Sequence, residues 1–166
     1  MRPLGYYYTA IMSMKLKNQY ILLLLISVVS LSFAYIVEYM MHLAACPLCI
    51  YQRFPYLIFI TLSIIAISSE KNYDRYFIIT VIFACILAGY HTGIERGIFE
   101  LSPFCTPLVS VTDNLSVADF TKMLYNEQIG TCSKPALVIF GLSMTEWNLL
   151  LNLVLLTIFI KIKKTD

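Results

Sequence analysis

Charged side chains are scarce in this sequence, at 13% of its 166 residues, whereas ordinary soluble domains carry about 25%. Hydrophobic residues make up 59% of the chain. So few polar residues cannot cover a water-facing surface, which excludes an ordinary soluble domain and predicts that most of the outer face meets lipid. The net charge of +2 is too small to indicate a nucleic-acid partner. The length corresponds to one domain.

Long apolar runs are present instead. A bilayer core needs about 20 mostly apolar residues per helix. Four runs meet this requirement and predict spans at residues 20–37, 50–69, 76–93 and 144–162. The first run lacks the small-residue cleavage site of a signal peptide, since "AYIVEYMM" is bulky throughout, so we expect it to be retained. The predicted fold class is an all-α membrane protein, a four-transmembrane-helix bundle forming a single integral membrane domain.

The basic residues predict the orientation of the bundle. Loops 38–49 and 94–143 fall on one side of the membrane, and both termini with the "SSEKNYDR" loop fall on the other. The side with the termini carries eight Lys and Arg residues and the opposite side four. Because cytoplasmic segments are enriched in Lys and Arg, the pattern predicts that both termini are cytoplasmic.

With this topology four cysteines face outward, Cys46, Cys49, Cys105 and Cys132, while Cys85 lies in mid-span as a small apolar core residue. Outside a bacterial cytoplasm, disulfides form and persist. Four cysteines allow three pairings, so the sequence does not fix the connectivity. Proximity favours Cys46 with Cys49, which leaves Cys105 with Cys132.

The two pairs differ in what a disulfide would do. A bond closing the 27-position interval between Cys105 and Cys132 could staple the loop, stabilising it by about 3–4 kcal/mol. The ring between Cys46 and Cys49 is too short to constrain the chain, so its use is chemical: neighbouring thiols exchange rapidly. Zinc is the other use of four cysteines, but the second pair lacks CxxC spacing. We therefore expect no metal.

Three ionisable residues lie at the predicted depth of the CxxC. If the second helix begins near Cys49, then Arg53 stands at i+4 on the same face, and the cation and the helix N-terminus both favour a thiolate at Cys49. An arginine inside the membrane edge is itself a functional hypothesis, although snorkelling to lipid headgroups is the alternative. His91 and Glu95, again at i and i+4, end the third span and are candidates for the same pocket.

The second outward loop holds a further pattern. "SVADFTKMLYNEQ" has an S-x-x-D capping signal and apolar residues along one side, which predicts a short helix lying on the membrane surface. Such a helix would hold Cys105 and Cys132 close above the CxxC.

The motif Cys46-Pro-Leu-Cys49-Ile-Tyr-Gln52-Arg53 at the head of the second of four spans, with a cysteine pair in the second outward loop, resembles the DsbB family. These are disulfide bond formation proteins of the bacterial inner membrane. "YHTGIERG" and "GLSMTEWN" resemble alphaproteobacterial versions, and the likeness covers roughly residues 20–160.

The resemblance implies a mechanism. A reduced periplasmic DsbA-type thiol oxidase attacks a Cys105–Cys132 disulfide, with Cys105 forming the mixed disulfide. Electrons then pass to the Cys46–Cys49 pair through a transient Cys46–Cys132 bond, and Cys49 passes them to ubiquinone or menaquinone. The quinone-binding candidates are Arg53, Gln52, His91 and Glu95.

Two rival interpretations remain. The vitamin K epoxide reductase family also has four spans, a CxxC and loop cysteines, but there the loop pair precedes the CxxC. A four-span protein with purely structural disulfides is the non-enzymatic alternative, and it predicts that Cys46→Ser leaves periplasmic disulfides intact.

Overall fold

The computed structural model describes residues 4–42, 45–69, 72–100, 105 and 132–165, with side chains between Lys17 and Lys161 within these ranges. The helices and strands of the described chain are α1 Leu4–Met40, α2 Pro47–Tyr51, α3 Arg53–Ser68, α4 Asp74–Glu95, β1 Val138–Ile139, β2 Leu142–Ser143 and α5 Met144–Thr165. The surface helix predicted from "SVADFTKMLYNEQ" lies outside the described residues.

Four helical stretches among the described residues are long and apolar enough to cross a bilayer, as predicted. They are Lys17–Met40, Pro47–Ser68, Asp74–Glu95 and Met144–Lys161. Large apolar side chains such as Leu22, Phe83 and Ile86 point outward, each more than half exposed. In water such a surface would drive aggregation, whereas in a bilayer it is the face that lipid requires.

The helices pack in pairs, with α1 along α3, α4 along α5, and α3 against α4. One end of the bundle is filled by stacked aromatic rings, which we call the aromatic end. Phe77 of α4 stacks on Tyr20, Phe59 and Phe159, with ring centroids 5.4, 6.1 and 5.7 Å away. These four rings come from all four long helices and are buried, so they tie the bundle together at this end.

A polar clip closes the aromatic end. The Tyr20 hydroxyl donates to Asp74 Oδ1 at 2.9 Å and accepts from the Tyr73 backbone amide at 3.3 Å. Tyr73 is the last residue of the connection between α3 and α4, and Asp74 is the first residue of α4. The clip therefore fixes that short loop against α1.

The opposite end begins with a hairpin that leads into α5. Strands β1 and β2 pair antiparallel across Phe140 and Gly141, which both have positive φ, the signature of a two-residue turn that matches strand twist. Ser143 and Glu146 then cap α5 reciprocally: the Ser143 amide donates to Glu146 Oε2 at 2.8 Å, and the Glu146 amide donates to Ser143 Oγ at 3.2 Å. This capping box fixes the start of the helix at this end of the bundle.

Candidate active site

Cys46 and Cys49 lie together on the first turn of α2. Cys46 is the residue that caps the helix: its Sγ accepts from the Cys49 backbone amide at 3.3 Å, and Pro47 follows at a position that proline favours. The helix thus begins at Pro47, ahead of the start expected near Cys49, because the Cys46 sulfur itself satisfies a free amide of the first turn. The two Sγ atoms are 2.9 Å apart, with Cys46 donating.

The Cys46 thiol is the hydrogen-bond donor of this pair. Its hydrogen bond to Cys49 raises the pKa of the Cys46 thiol, and burial raises that pKa further. The Cys49 sulfur is consequently the acceptor of the pair.

The loop cysteines lie against the same turn. Cys105 and Cys132 are buried in one cluster with Cys46, Leu48 and Ile94. Burial raises the pKa of Cys132, and its hydrogen bond with Cys105 only partly offsets this. The fold therefore brings the two cysteine pairs into one site.

His91 joins the cysteines. The Sγ atoms of Cys46 and Cys132 and a ring nitrogen of His91 all lie within 4.8 Å of one another. Thiol exchange requires such proximity, because one sulfur must attack another directly. Two thiolates and an imidazole are also zinc ligands, although structural zinc takes four. A functional test therefore has to distinguish zinc binding from thiol exchange at these residues.

The Arg53 side chain contacts α1. Its guanidinium pairs with Glu38, with Nη2 2.6 Å from Oε2, and lies over the Tyr35 ring at 4.6 Å from the centroid. Arg53 and Cys49 were predicted to be neighbours, and both line the cavity described below. The ion pair of Arg53 is made with Glu38, a residue that was not predicted from the sequence. Glu38 is recognisable as the one acidic residue ending the first apolar run.

His91 and its neighbours form a buried polar cluster. The side chain is 1% exposed, and its Nε2 lies 3.4 Å from Cys46 Sγ and 3.8 Å from Glu95 Oε1. Gln52 Nε2 is 3.0 Å from the other ring nitrogen, Nδ1. Glu95 in turn accepts from Ser143 Oγ at 2.5 Å and Thr145 Oγ1 at 2.8 Å. The structure thus places three of the predicted quinone-binding residues beside the dithiol.

Three further polar residues extend this cluster into the bundle and were missed from the sequence. Asn148 Nδ2 donates to Gln52 Oε1 at 2.8 Å, and Tyr56 donates its hydroxyl proton to Asn148 Oδ1. Asn152 donates to the same oxygen at 3.0 Å. The available signal was the i, i+4 spacing of two asparagines within an apolar span, where polar side chains are rare.

A cavity of ≈ 750 Å³ adjoins these residues between α1, α3, α5 and the hairpin. Its polar wall contains the CxxC, and the apolar wall is made by residues such as Leu31, Val37, Trp147 and Leu151. The polar residues of the lining are Ser30, Glu38, Cys46, Cys49, Gln52, Arg53, Tyr56, His91, Glu95, Lys134, Thr145 and Asn148. Apolar walls with a few convergent polar groups are typical of small-molecule sites.

Cys85 lies apart from this site. It is partly buried and packs against the cluster of aromatic and aliphatic residues that includes Phe59 and Phe77. It is thus a core thiol at a distance from the redox candidates.

Comparisons with known proteins agree with this geometry. Residues 17–162 match the family model described as disulfide bond formation protein DsbB. The uncharacterized protein RP370 of Rickettsia prowazekii is 43% identical over 140 residues, covering 82% of this chain and 81% of the relative. Disulfide bond formation protein B of Cupriavidus metallidurans is 26% identical over 142 residues (84% and 87%), and disulfide bond formation protein B 1 of Pseudomonas fluorescens is 27% identical over 117 (64% and 64%).

The class of protein defined by these features is a multi-pass membrane oxidoreductase acting in disulfide formation. The chain belongs to the DsbB family, as its match over residues 17–162 shows.

Proposed function

We propose that this protein reoxidises a periplasmic DsbA-type dithiol oxidase and passes the electrons to ubiquinone or menaquinone, which sustains disulfide formation in secreted proteins. The observation that carries the proposal is the meeting of both cysteine pairs and an apolar-walled cavity at one end of the bundle. Family membership supports it. The bundle would lie in the bacterial inner membrane with both termini cytoplasmic and the cysteines periplasmic.

The first half of the reaction is thiol exchange. A thiolate of the reduced partner attacks a Cys105–Cys132 disulfide and forms a mixed disulfide with Cys105, releasing Cys132 as a thiolate. Cys132 then attacks the Cys46–Cys49 disulfide at Cys46, which breaks that bond and releases Cys49. The proximity of Cys132 to Cys46, within 4.8 Å together with His91, supports this order of attack.

The second half returns the electrons to the membrane. The partner's second thiolate resolves the mixed disulfide, Cys105 re-forms its bond with Cys132, and Cys46 is released. Oxidation of the Cys46–Cys49 pair then gives up two electrons and two protons, which convert one quinone to one quinol. A lipid-soluble acceptor fits the cavity because apolar residues form most of its wall beside the dithiol.

Four charged or polar residues would contact the quinone in this scheme: Arg53, Gln52, His91 and Glu95. All four line the cavity. Arg53 is the only cation among them with a permanent charge, and a cation at this position stabilises an anionic quinone or thiolate. Its pairing with Glu38 fixes the guanidinium at the cavity edge.

The test is anaerobic mixing of the purified full chain with a reduced DsbA-type protein and ubiquinone-1, or its menaquinone counterpart, followed by quinone absorbance. We expect one quinone reduced per partner disulfide formed. Absence of quinone reduction with all four outward cysteines intact would contradict the proposal. Metal analysis of the same sample separates the zinc alternative, since a stoichiometric bound ion would also contradict it.

A variant distinguishes an enzyme from a protein with structural disulfides. Cys46→Ser in cells should cause the reduced DsbA-type partner to accumulate, measured by thiol-specific alkylation and gel shift. Cys85→Ser is the matched control because Cys85 packs in the bundle core away from the cysteine cluster. Unchanged partner oxidation in Cys46→Ser would favour the structural alternative.

A further inference from the structure

Two asparagines stand on one face of α5, inside a stretch that is apolar enough to cross a membrane. Asn152 is 0% exposed, and Asn148 is partly buried. Polar side chains inside a membrane are costly and are kept where they serve a function. Among the described residues, the hydrogen bonds of the two asparagines go to Gln52, Tyr56 and each other, so an effect on the dithiol passes through other residues.

The direction of the Asn152 amide is set by the backbone. Its Nδ2 lies 2.8 Å from the carbonyl oxygen of Asn148 and 3.0 Å from Asn148 Oδ1. A backbone carbonyl only accepts, so the amide nitrogen of Asn152 must face it. The Asn152 Oδ1 atom then points the other way, where it is buried and has no hydrogen-bond partner among the described residues. Asn148 therefore presents its oxygen to Asn152.

The orientation of the Asn152 amide fixes the orientations of the Asn148 and Gln52 amides. Because Asn148 Oδ1 accepts from Asn152 and Tyr56, its Nδ2 is left to donate to Gln52 Oε1 at 2.8 Å. Gln52 consequently turns its own nitrogen toward His91, with Nε2 3.0 Å from Nδ1. Each amide can only be oriented in the way that its predecessor allows.

The end of the chain is the imidazole. Since Gln52 donates to Nδ1, that nitrogen must accept, and the ring proton sits on Nε2. Nε2 faces two acceptors, Cys46 Sγ at 3.4 Å and Glu95 Oε1 at 3.8 Å. Thr145 Oγ1 also lies 3.5 Å from Nδ1, but the hydroxyl donates its proton to Glu95 at 2.8 Å. The shorter hydrogen bond from Gln52 therefore determines that Nδ1 is the accepting nitrogen.

We propose that Asn148 is a positioning residue that acts through Gln52 to hold His91 in the Nε2-protonated tautomer, so that the ring donates a hydrogen bond to the Cys46 sulfur. The role rests on the proposed function, in which Cys46 takes part in two thiol–disulfide exchange steps: Cys132 attacks it, and it is later released from Cys132. When Cys105 attacks Cys132, the Cys46–Cys132 bond breaks and Cys46 leaves as a thiolate. The Nε2–H group stabilises that charge without transferring its proton.

The tautomer can be observed directly. The chain has only two histidines, His42 and His91, so the ¹⁵N-histidine spectrum of the detergent-solubilised full chain is assigned by comparison with His42→Gln. The nitrogen shifts and one-bond N–H coupling show which ring nitrogen carries the proton. We expect Nε2-protonated His91 in the reduced wild-type protein. An Nδ1-protonated ring would overturn the proposal.

Two variants test the relay, with one control. Gln52→Glu replaces the donor with a group that only accepts, so His91 should gain a proton on Nδ1. Asn148→Leu frees Gln52 to turn either way, so a second population protonated on Nδ1 should appear. Thr157→Val changes a polar residue of the same helix whose hydroxyl bonds the Val154 carbonyl, and it should leave the spectrum unchanged. A wild-type tautomer in both Gln52→Glu and Asn148→Leu would overturn the relay.

Activity provides an independent readout. A hydrogen bond to a charged group is worth enough that losing it slows the reaction roughly tenfold or more, so Asn148→Leu should reduce the rate of quinone reduction by that factor with little change in KM for the partner. A wild-type protein that reduces no quinone contradicts the proposed function alone. Full activity in Asn148→Leu despite a shifted tautomer contradicts the positioning role alone.

Discussion

The two ends of the same four-helix bundle are built from different chemistry. At the aromatic end, Tyr20, Phe59, Phe77 and Phe159 stack in a buried layer. At the other end, which we call the dithiol end, buried thiols, an imidazole, amides and carboxylates surround a cavity. The aromatic end is organised for packing and the dithiol end for reactivity, so substitutions at the two ends should fail in different ways.

The largest expected effect is at the dithiol end. Cys49→Ser removes the acceptor sulfur of the CxxC and should abolish quinone reduction in the anaerobic assay, because Cys46 then has no partner thiol with which to be oxidised to a disulfide. The unfolding transition in detergent should move little, since the thiol lost is small. Cys85→Ser, the control, should keep full activity. Residual turnover in Cys49→Ser above the level without protein would contradict the assignment.

The aromatic end should show the reverse pattern. Phe77→Ala removes a ring with no exposed surface that stacks on three others, and should lower the free energy of unfolding by about 3–5 kcal/mol. The measurement is denaturant unfolding in detergent, followed by circular dichroism. The matched control is Phe83→Ala on the same helix, where the ring is 53% exposed. A loss of quinone reduction by folded Phe77→Ala protein would show that the two ends are not separable.

The pH dependence of Cys132 comes next. Because burial raises the pKa of this thiol, its thiolate should form only above the ordinary value of about 8.5. The alkylation rate by iodoacetamide, measured by peptide mass spectrometry on the reduced protein, should therefore still be rising with pH at that value. Each unit by which the pKa is raised lowers the alkylation rate at neutral pH by about tenfold. The same peptide in unfolded protein is the reference, and a folded-state rate that levels off below pH 8.5 would contradict this.

The smallest effect concerns the clip at the aromatic end. Tyr20→Phe keeps the ring that stacks on Phe77 but removes the hydroxyl that donates to Asp74, so the free energy of unfolding should fall by about 1 kcal/mol. Tyr39→Phe serves as the control because that tyrosine is 69% exposed on the same helix. Equal stability of the two variants would show that the clip contributes nothing measurable.

The sequence predicted the features that depend on local composition. Apolar run length was enough to find the four membrane-spanning helices. The spacing of Cys46 and Cys49 was likewise visible, since three positions in a chain need no tertiary information. The family followed from the CxxC in front of Gln52 and Arg53 together with a later cysteine pair.

What the sequence did not predict depends on contacts between distant segments. Arg53 pairs with Glu38 because α1 packs along α3, and the order of amides from Asn152 to His91 exists only once α3, α4 and α5 meet. The hairpin before α5 was also missed, because its strands have two residues each and its turn is Phe140-Gly141 instead of a pair such as Asn-Gly.

The central claim is that Cys132 and Cys46 meet at the dithiol end and exchange disulfides. The most direct measurement uses the double variant Cys49→Ser/Cys105→Ser, which leaves these two thiols without their partners. Mild oxidation followed by peptide mass spectrometry should yield an intramolecular Cys46–Cys132 disulfide, with Cys85 still free. Recovery of both cysteines as free thiols, or only as links between molecules, would contradict the account.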